Sequence, residues 1–84
     1  MSSDLYWRPP NPEGAYLGYE LKFILREQFG GGTLSEWTQV DKADVSFLEG
    51  VIVGSGKHTT VGKGARELIE LIEKHGSVEV REQS

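Results

Sequence analysis

The clearest hydrophobic pattern in the chain lies near its carboxyl end. Five apolar residues recur there at the spacing i, i+4, i+7, i+8 and i+11: Val61, Ala65, Leu68, Ile69 and Ile72. This spacing places all five on one side of an α-helix, opposite a charged side. Gly76 is typical of a residue that closes a helix, and His75 suits the negative end of the helix dipole. The pattern predicts an amphipathic helix over 61–75, with Thr60 as its N-cap.

A second apolar stripe at helical spacing predicts another helix over 15–29. It consists of Leu17, Leu21, Ile24, Leu25 and Phe29. The three glycines at 30–32 predict its end. Three aromatic residues widen the apolar surface beyond this stripe: Tyr16, Tyr19 and Phe23. This surplus either packs within the monomer or forms a contact with a partner protein or a second copy of the chain.

Two segments have patterns typical of β-strands. Val78 and Val80 alternate with Glu79 and Arg81, which predicts a half-buried strand over 77–82. Residues 5–8 predict a short edge strand that enters a proline-rich bend. Trp7 lies in this strand, where it either covers one end of the core or belongs to a recognition surface.

The middle of the chain is ambiguous. Residues 33–36 match a helix capping box, but residues 37–40 also suit a strand. Asp44 is a candidate cap for a helical turn over 44–49. The β-branched run 51–53 favours a strand, although short apolar runs do not distinguish strand from helix.

These elements together predict an α+β fold in a single domain, 1–84. Two amphipathic helices, 15–29 and 61–75, pack on a small sheet of two to three strands. The strands come from 5–8, 51–53 and 77–82. Residues 1–4 and 83–84 are expected to be loose ends.

Composition limits the classes of function. The 84 residues can form only one small core. Cysteine is absent, which excludes disulfides, zinc–thiolate sites and cysteine nucleophiles. The net charge of −4 disfavours binding to duplex nucleic acid. The sequence shows neither a signal peptide nor a membrane span, so a cytoplasmic location is expected.

The strongest candidate for ligand chemistry is the glycine-rich loop 54–64, which precedes the carboxyl-terminal helix. It contains the candidate anion-binding residues Lys57, His58, Thr60, Gly62, Lys63 and Gly64. Backbone N–H groups at a helix start, with lysines nearby, can hold a phosphate group. The loop matches neither the P-loop pattern nor the dinucleotide-binding fingerprint when the spacing is counted. A solvated connector is the competing interpretation.

No catalytic constellation is visible. His58 is next to Thr59 and close to Ser55, but no third group is evident to orient its imidazole, so a small hydrolase is a remote alternative. His58 has no second histidine or carboxylate at a metal-ligand spacing such as i+3 or i+4, and His75 is interpreted as closing the helix. We therefore expect no catalytic residue, no metal and no cofactor.

The sequence favours a small non-catalytic interaction or regulatory module that binds a protein partner. The candidate contact residues are Trp7, Tyr16, Tyr19 and Phe23, and a homodimer through them is one form of this hypothesis. The alternative is a binder of a phosphorylated small molecule or nucleotide at loop 54–64. Small acidic proteins of this kind occur as phage accessory proteins and as bacterial regulators, and composition does not choose between these sources.

Overall fold

The computed structural model describes residues 4–8, 15–18 and 20–83; for residues 15, 16 and 18 it describes the backbone. Seven helices and strands follow one another in these segments. They are β1 (Asp4–Arg8), β2 (Ala15–Gly18), α1 (Leu21–Gln28), β3 (Thr38–Asp41), α2 (Val45–Ser55), α3 (Thr60–His75) and β4 (Ser77–Gln83). A 3₁₀ turn, Lys42–Asp44, connects β3 to α2.

The four strands form one antiparallel sheet in the order β2-β1-β4-β3. The predicted α+β class is confirmed, and the sheet has one strand more than the largest number expected. The carboxyl-terminal strand β4 lies in the middle, where Val80 pairs with Trp7 of β1 and with Thr38 of β3. Residues that are distant in the chain therefore meet across β4.

The described helices share one hydrophobic core with a single face of this sheet. The strand residues buried there are Leu5, Leu17, Val40, Val78, Val80 and Glu82, and the helix residues buried with them are Leu21, Leu25, Leu48, Ala65, Leu68 and Ile72. Because strand side chains alternate between faces, the intervening residues point the other way. We call this second side the open face, defined by Tyr6, Arg8, Gln39, Glu79, Arg81 and Gln83. These residues are exposed or half-buried, and no described helix contributes a core contact on their side.

The carboxyl-terminal helix and strand are confirmed. Helix α3 begins one residue earlier than predicted, so that Thr59 and not Thr60 is the N-cap, and the Thr59 hydroxyl accepts the N–H of Gly62 at 3.0 Å. Gly76 closes the helix at φ 85°, in the left-handed region that favours glycine. Strand β4 alternates buried and half-buried residues along its length.

The prediction of one helix over 15–29 is wrong in its first third. Residues 15–18 form β2, and α1 covers only Leu21–Gln28. Leu17 is buried as expected, but it reaches the core from a strand. Leu17 and Leu21 are both buried and four positions apart, which is the spacing expected of one helix. The same spacing arises here from the end of a strand and the start of a new helix.

The predicted strand at 51–53 is also wrong. These residues lie in α2, which runs unbroken through Gly50. Leu48 is fully buried, and Val51 and Ile52 pack against the core beside it. Helix α2 packs mainly against α3. Tertiary packing therefore overrides the β-branched character of the segment.

In the ambiguous stretch 33–40, the strand is the correct alternative. Strand β3 begins at Thr38, and no helix forms over 33–36. Two residues assigned to loose ends are ordered in the sheet, because Asp4 begins β1 and Gln83 ends β4. The rest of those predicted ends, 1–3 and 84, lies outside the described residues.

Candidate functional site

The open face carries an aromatic residue with two cations close to its ring. The indole of Trp37 lies just before β3, with the guanidinium carbon of Arg8 4.3 Å and that of Arg81 4.6 Å from the ring centroid. Arg8 belongs to β1 and Arg81 to β4, so the contacts bring together side chains from the β1, β4 and β3 parts of the sheet. Arginine over tryptophan is a favourable cation–π arrangement. The stack therefore holds three long side chains in one defined geometry.

The two arginines differ in their hydrogen bonding. Arg8 Nε donates to Glu79 Oε1 at 2.9 Å, across the β1–β4 pair. Arg81 makes no hydrogen bond and no ion pair with any described residue, although it is half-buried. Glu36, adjacent to Trp37, is exposed and forms no ion pair within the described part of the chain. All five N–H donors of Arg81 are therefore available to an acceptor from outside the described structure.

The position of Trp37 depends on a buried glutamate on the opposite face of β4. Glu82 accepts Arg26 Nε at 2.8 Å and the backbone N–H of Leu34 at 2.8 Å, and a second contact joins its carboxylate to Arg26 Nη2. The Glu82 N–H in turn donates to the Leu34 carbonyl at 2.8 Å. The hydrogen bonds that Arg26 donates to Glu82 raise the pKa of the Arg26 guanidinium, although partial desolvation opposes this effect. This clip fixes the loop after α1 three residues before Trp37.

The structure separates the predicted partner-binding residues. Trp7 is half-buried against the core, with its ring centroid 5.8 Å from that of His75, as the packing alternative predicts. Phe23 is on the exposed side of α1 with 52% of its surface accessible, and Lys22 and Arg26 each lie 5.2 Å from its ring. The side chain of Tyr16 and all of Tyr19 lie outside the described residues. The proposed set therefore has one described member that faces solvent, Phe23.

The structure reduces the predicted loop 54–64 to residues 56–59, because α2 ends at Ser55 and α3 begins at Thr60. Two glycines of the predicted segment, Gly62 and Gly64, have close packing neighbours. A Cβ on Gly62 would lie 2.0 Å from the Gly56 carbonyl oxygen, and one on Gly64 would lie 3.3 Å from Leu21 Cβ. Both glycines are buried, and the Gly62 N–H already donates to Thr59 Oγ1. Close approach of neighbouring atoms thus accounts for glycine at these two positions.

The other candidate anion-binding residues of this loop, Lys57, His58, Thr60 and Lys63, are all exposed. The first-turn amides of Thr60 and Val61 have no acceptor among the described residues, which is ordinary at a helix start. This arrangement provides exposed cations but no buried polar group directed at a common point. The anion-binding prediction remains a prediction.

The hydroxyl groups near His58 are not aligned with its imidazole. The Thr59 hydroxyl donates to the Gly56 carbonyl at 2.8 Å, and neither it nor Ser55 hydrogen-bonds to His58. Within the described ranges, no three His, Cys, Asp or Glu side chains are grouped as metal ligands. A search of the same residues finds no helix with the length and apolar character needed to cross a bilayer.

Sequence reasoning missed Trp37, Arg8 and Arg81 as candidate site residues. The alternation in β4 does place Arg81 on the polar side of the sheet, which was the only local signal. The contacts with Trp37 require the order β1-β4-β3, and that order depends on pairings between residues 36 or more positions apart. No periodicity within a short window carries this information.

Comparison of the chain with protein-family models, with curated proteins and with solved structures found no match.

Proposed function

We propose that this protein is a small, non-catalytic, cytoplasmic interaction module that binds a protein partner on the open face of its sheet. The observation that supports this proposal is the stack of Arg8, Trp37 and Arg81 on a sheet face that no described helix covers. Tryptophan, tyrosine and arginine are the residues most enriched among binding hot spots. Tyr6 of β1 adds a second aromatic residue to the same face.

The open face is also preorganised for binding. Its side chains project from paired strands, and Trp37 is held both by the guanidinium groups and by the Leu34–Glu82 clip. Fewer rotamers are then lost when a partner docks, which lowers the entropic cost of association. A cavity of about 250 Å³, lined by residues between Phe29 and Thr38, includes neither arginine, so it does not belong to the open face.

Selection of peptides from a random decapeptide display library tests this proposal. We expect wild-type protein to enrich peptides whose affinity falls at least tenfold on Trp37→Ala and changes less than twofold on Phe23→Ala. Both variants remove one large aromatic side chain, so they are matched for the loss of nonspecific hydrophobic binding. If peptide affinity fell on Phe23→Ala but not on Trp37→Ala, the contact surface would be on α1 and not on the open face. Failure to select any peptide above background would contradict the interaction module itself.

Self-association through the same face is the homodimer form of the proposal. Sedimentation equilibrium of the wild-type protein and of Trp37→Ala distinguishes it from a separate partner. A concentration-dependent dimer that Trp37→Ala dissociates would identify a second copy as the occupant.

The phosphorylated-ligand alternative at loop 54–64 has a direct test. Amide NMR spectra are recorded during titration with a panel of nucleotides, with sulfate as the control for bare charge. We expect no saturable shift that is specific to one nucleotide, because the buried glycines of the loop have packing neighbours in close contact. Saturable shifts in Gly54 to Gly64 from a nucleotide, but not from sulfate, would replace the interaction module with a ligand-binding function.

A further inference from the structure

We propose that the open face recognises a carboxylate of the partner protein, and that Arg81 is the residue that binds it. This inference rests on the proposed function and specifies the chemistry of its partner. The occupant is an extended protein segment that places an aspartate or glutamate side chain beside Trp37.

The charge balance around Trp37 is the first argument. The guanidinium carbons of Arg8 and Arg81 lie 4.3 and 4.6 Å from one ring centroid, so the two positive charges are within about 9 Å of each other. One carboxylate, that of Glu79, is paired with them, and it contacts only Arg8. The cluster therefore keeps one uncompensated positive charge in a chain whose net charge is −4. An incoming carboxylate would neutralise this charge.

The hydrogen-bonding state of Arg81 is the second argument. Arg81 is a half-buried residue whose guanidinium carbon lies over the Trp37 ring, and it has no acceptor among the described residues. A guanidinium over an aromatic face can keep its edge, where the N–H groups point, open to a bidentate carboxylate. The terminal NH₂ groups of Arg8 also lack an acceptor in the described structure, because Arg8 uses Nε for Glu79.

A single carboxylate fits this cluster better than a polyanion. Strands of nucleic acid are bound by grooves with many cations, and their affinity depends on neutralising several phosphates. Here two cations accompany Glu79 at the centre of the face, and Asp4 and Asp41 lie at its two ends. A phosphodiester chain along the sheet would meet these three acids. A peptide with one acidic side chain can contact the arginines without approaching these acids.

A double-mutant cycle tests the proposal on the decapeptides that depend on Trp37. We expect each such peptide to contain Asp or Glu, and replacement of that residue by its amide to weaken binding to wild-type protein about tenfold or more. On Arg81→Gln the acidic peptide and its amide twin should bind within twofold of each other, because the interaction energy between the two sites is then absent. Arg66→Gln is the matched control, since it removes one exposed arginine from α3 and should preserve the tenfold discrimination.

Further measurements keep the test decisive. Amide NMR spectra establish that Arg81→Gln is folded, and Arg81→Lys, which keeps the charge but loses the bidentate geometry, should bind acidic peptides with an intermediate affinity. Open-face peptides without acids, or amide twins that bind equally well, would overturn the carboxylate inference and leave the interaction module standing. If a deoxythymidine decamer bound more tightly than the acidic peptides and did so through Arg81, the inference would be overturned in favour of nucleic acid. A dimer in sedimentation that depends on Arg81 would overturn it in favour of a second copy of the chain. Absence of any Trp37-dependent peptide would overturn both proposals.

Discussion

Substitution of Gly62 by alanine should destabilise the protein, although alanine is normally the better helix residue. Gly62 lies in the first turn of α3, directly beneath the carbonyl of Gly56. An added Cβ would lie 2.0 Å from that oxygen and 2.9 Å from its carbon. The Gly56 segment must therefore move by roughly 1 Å, a displacement comparable to those that accompany overpacking of a core.

The size of the effect follows from what this movement disrupts. The Gly56 carbonyl accepts the N–H and the hydroxyl of Thr59, and the same hydroxyl caps the Gly62 N–H. Overpacking costs about 1–3 kcal/mol and loss of a cap about 0.5–2 kcal/mol. The better helix propensity of alanine offsets about 1 kcal/mol of this. We expect a net loss of about 2 kcal/mol, which lowers the melting temperature by about 8–16 °C in a domain of this size.

Thermal and urea unfolding, followed by circular dichroism at 222 nm, measure this change. Gly50→Ala in α2 is the matched control, because it makes the same substitution within a helix at a position where an added Cβ has no atom within 4 Å. It should raise stability by about 0.5–1 kcal/mol. If Gly62→Ala is as stable as Gly50→Ala, then close packing does not explain the glycine, and a role in anion binding becomes the better account.

Three further substitutions and one control test the packing and the electrostatics. Glu82→Gln should cost about 2 kcal/mol in urea unfolding, because it removes a fully buried carboxylate from a charge-assisted hydrogen bond; a cost under about 0.5 kcal/mol would contradict the importance of the clip. Leu48→Ala should cost about 3 kcal/mol, whereas Val53→Ala in the same helix, at a side chain with 85% of its surface exposed, should stay within about 0.5 kcal/mol. Glu67→Gln should stabilise the protein at neutral pH, since partial desolvation of this exposed residue and then the charge of Glu70 raise the pKa of its carboxyl in the folded state. The gain should shrink as the pH falls through that raised pKa and vanish below the ordinary glutamate value, because wild-type Glu67 is then protonated; a pH-independent difference would refute this cause.

The elements predicted correctly from the sequence are those that local pattern determines. Helix α3 has a long, strict 3.6-residue period and a closing glycine, and β4 has a strict two-residue alternation. The errors occurred where packing decides. Residues 51–53 are helical because Leu48 and Ile52 in the same segment pack against the core, and residues 15–18 are a strand because they pair with β1. Both outcomes depend on partners outside any short window of sequence.

The candidate surface could be predicted even less well than the fold. The aromatic surplus at 16–23 suggested a contact through the first helix, and this stays a prediction: within that surplus, the structure describes the side chain of Phe23, which is exposed. Trp37 and Arg81 are separated by 43 intervening residues, and they meet because β3 pairs with β4. Chemistry that a sheet assembles from three strands leaves no motif in the sequence.

Strand β4 connects the stability of the fold to the proposed binding surface. Its successive residues Arg81 and Glu82 point to opposite faces, yet both act on the same loop, since Glu82 holds Leu34 and Arg81 stacks on Trp37. Glu82→Gln should therefore loosen Trp37 and weaken the Trp37-dependent peptides severalfold, at a temperature where the variant is still fully folded. Leu48→Ala removes stability in α2, away from this loop, and should leave the affinity within twofold. Equal losses in the two variants would mean that binding follows global stability alone, and a loss in neither would mean that the stack orders Trp37 without help from the buried glutamate.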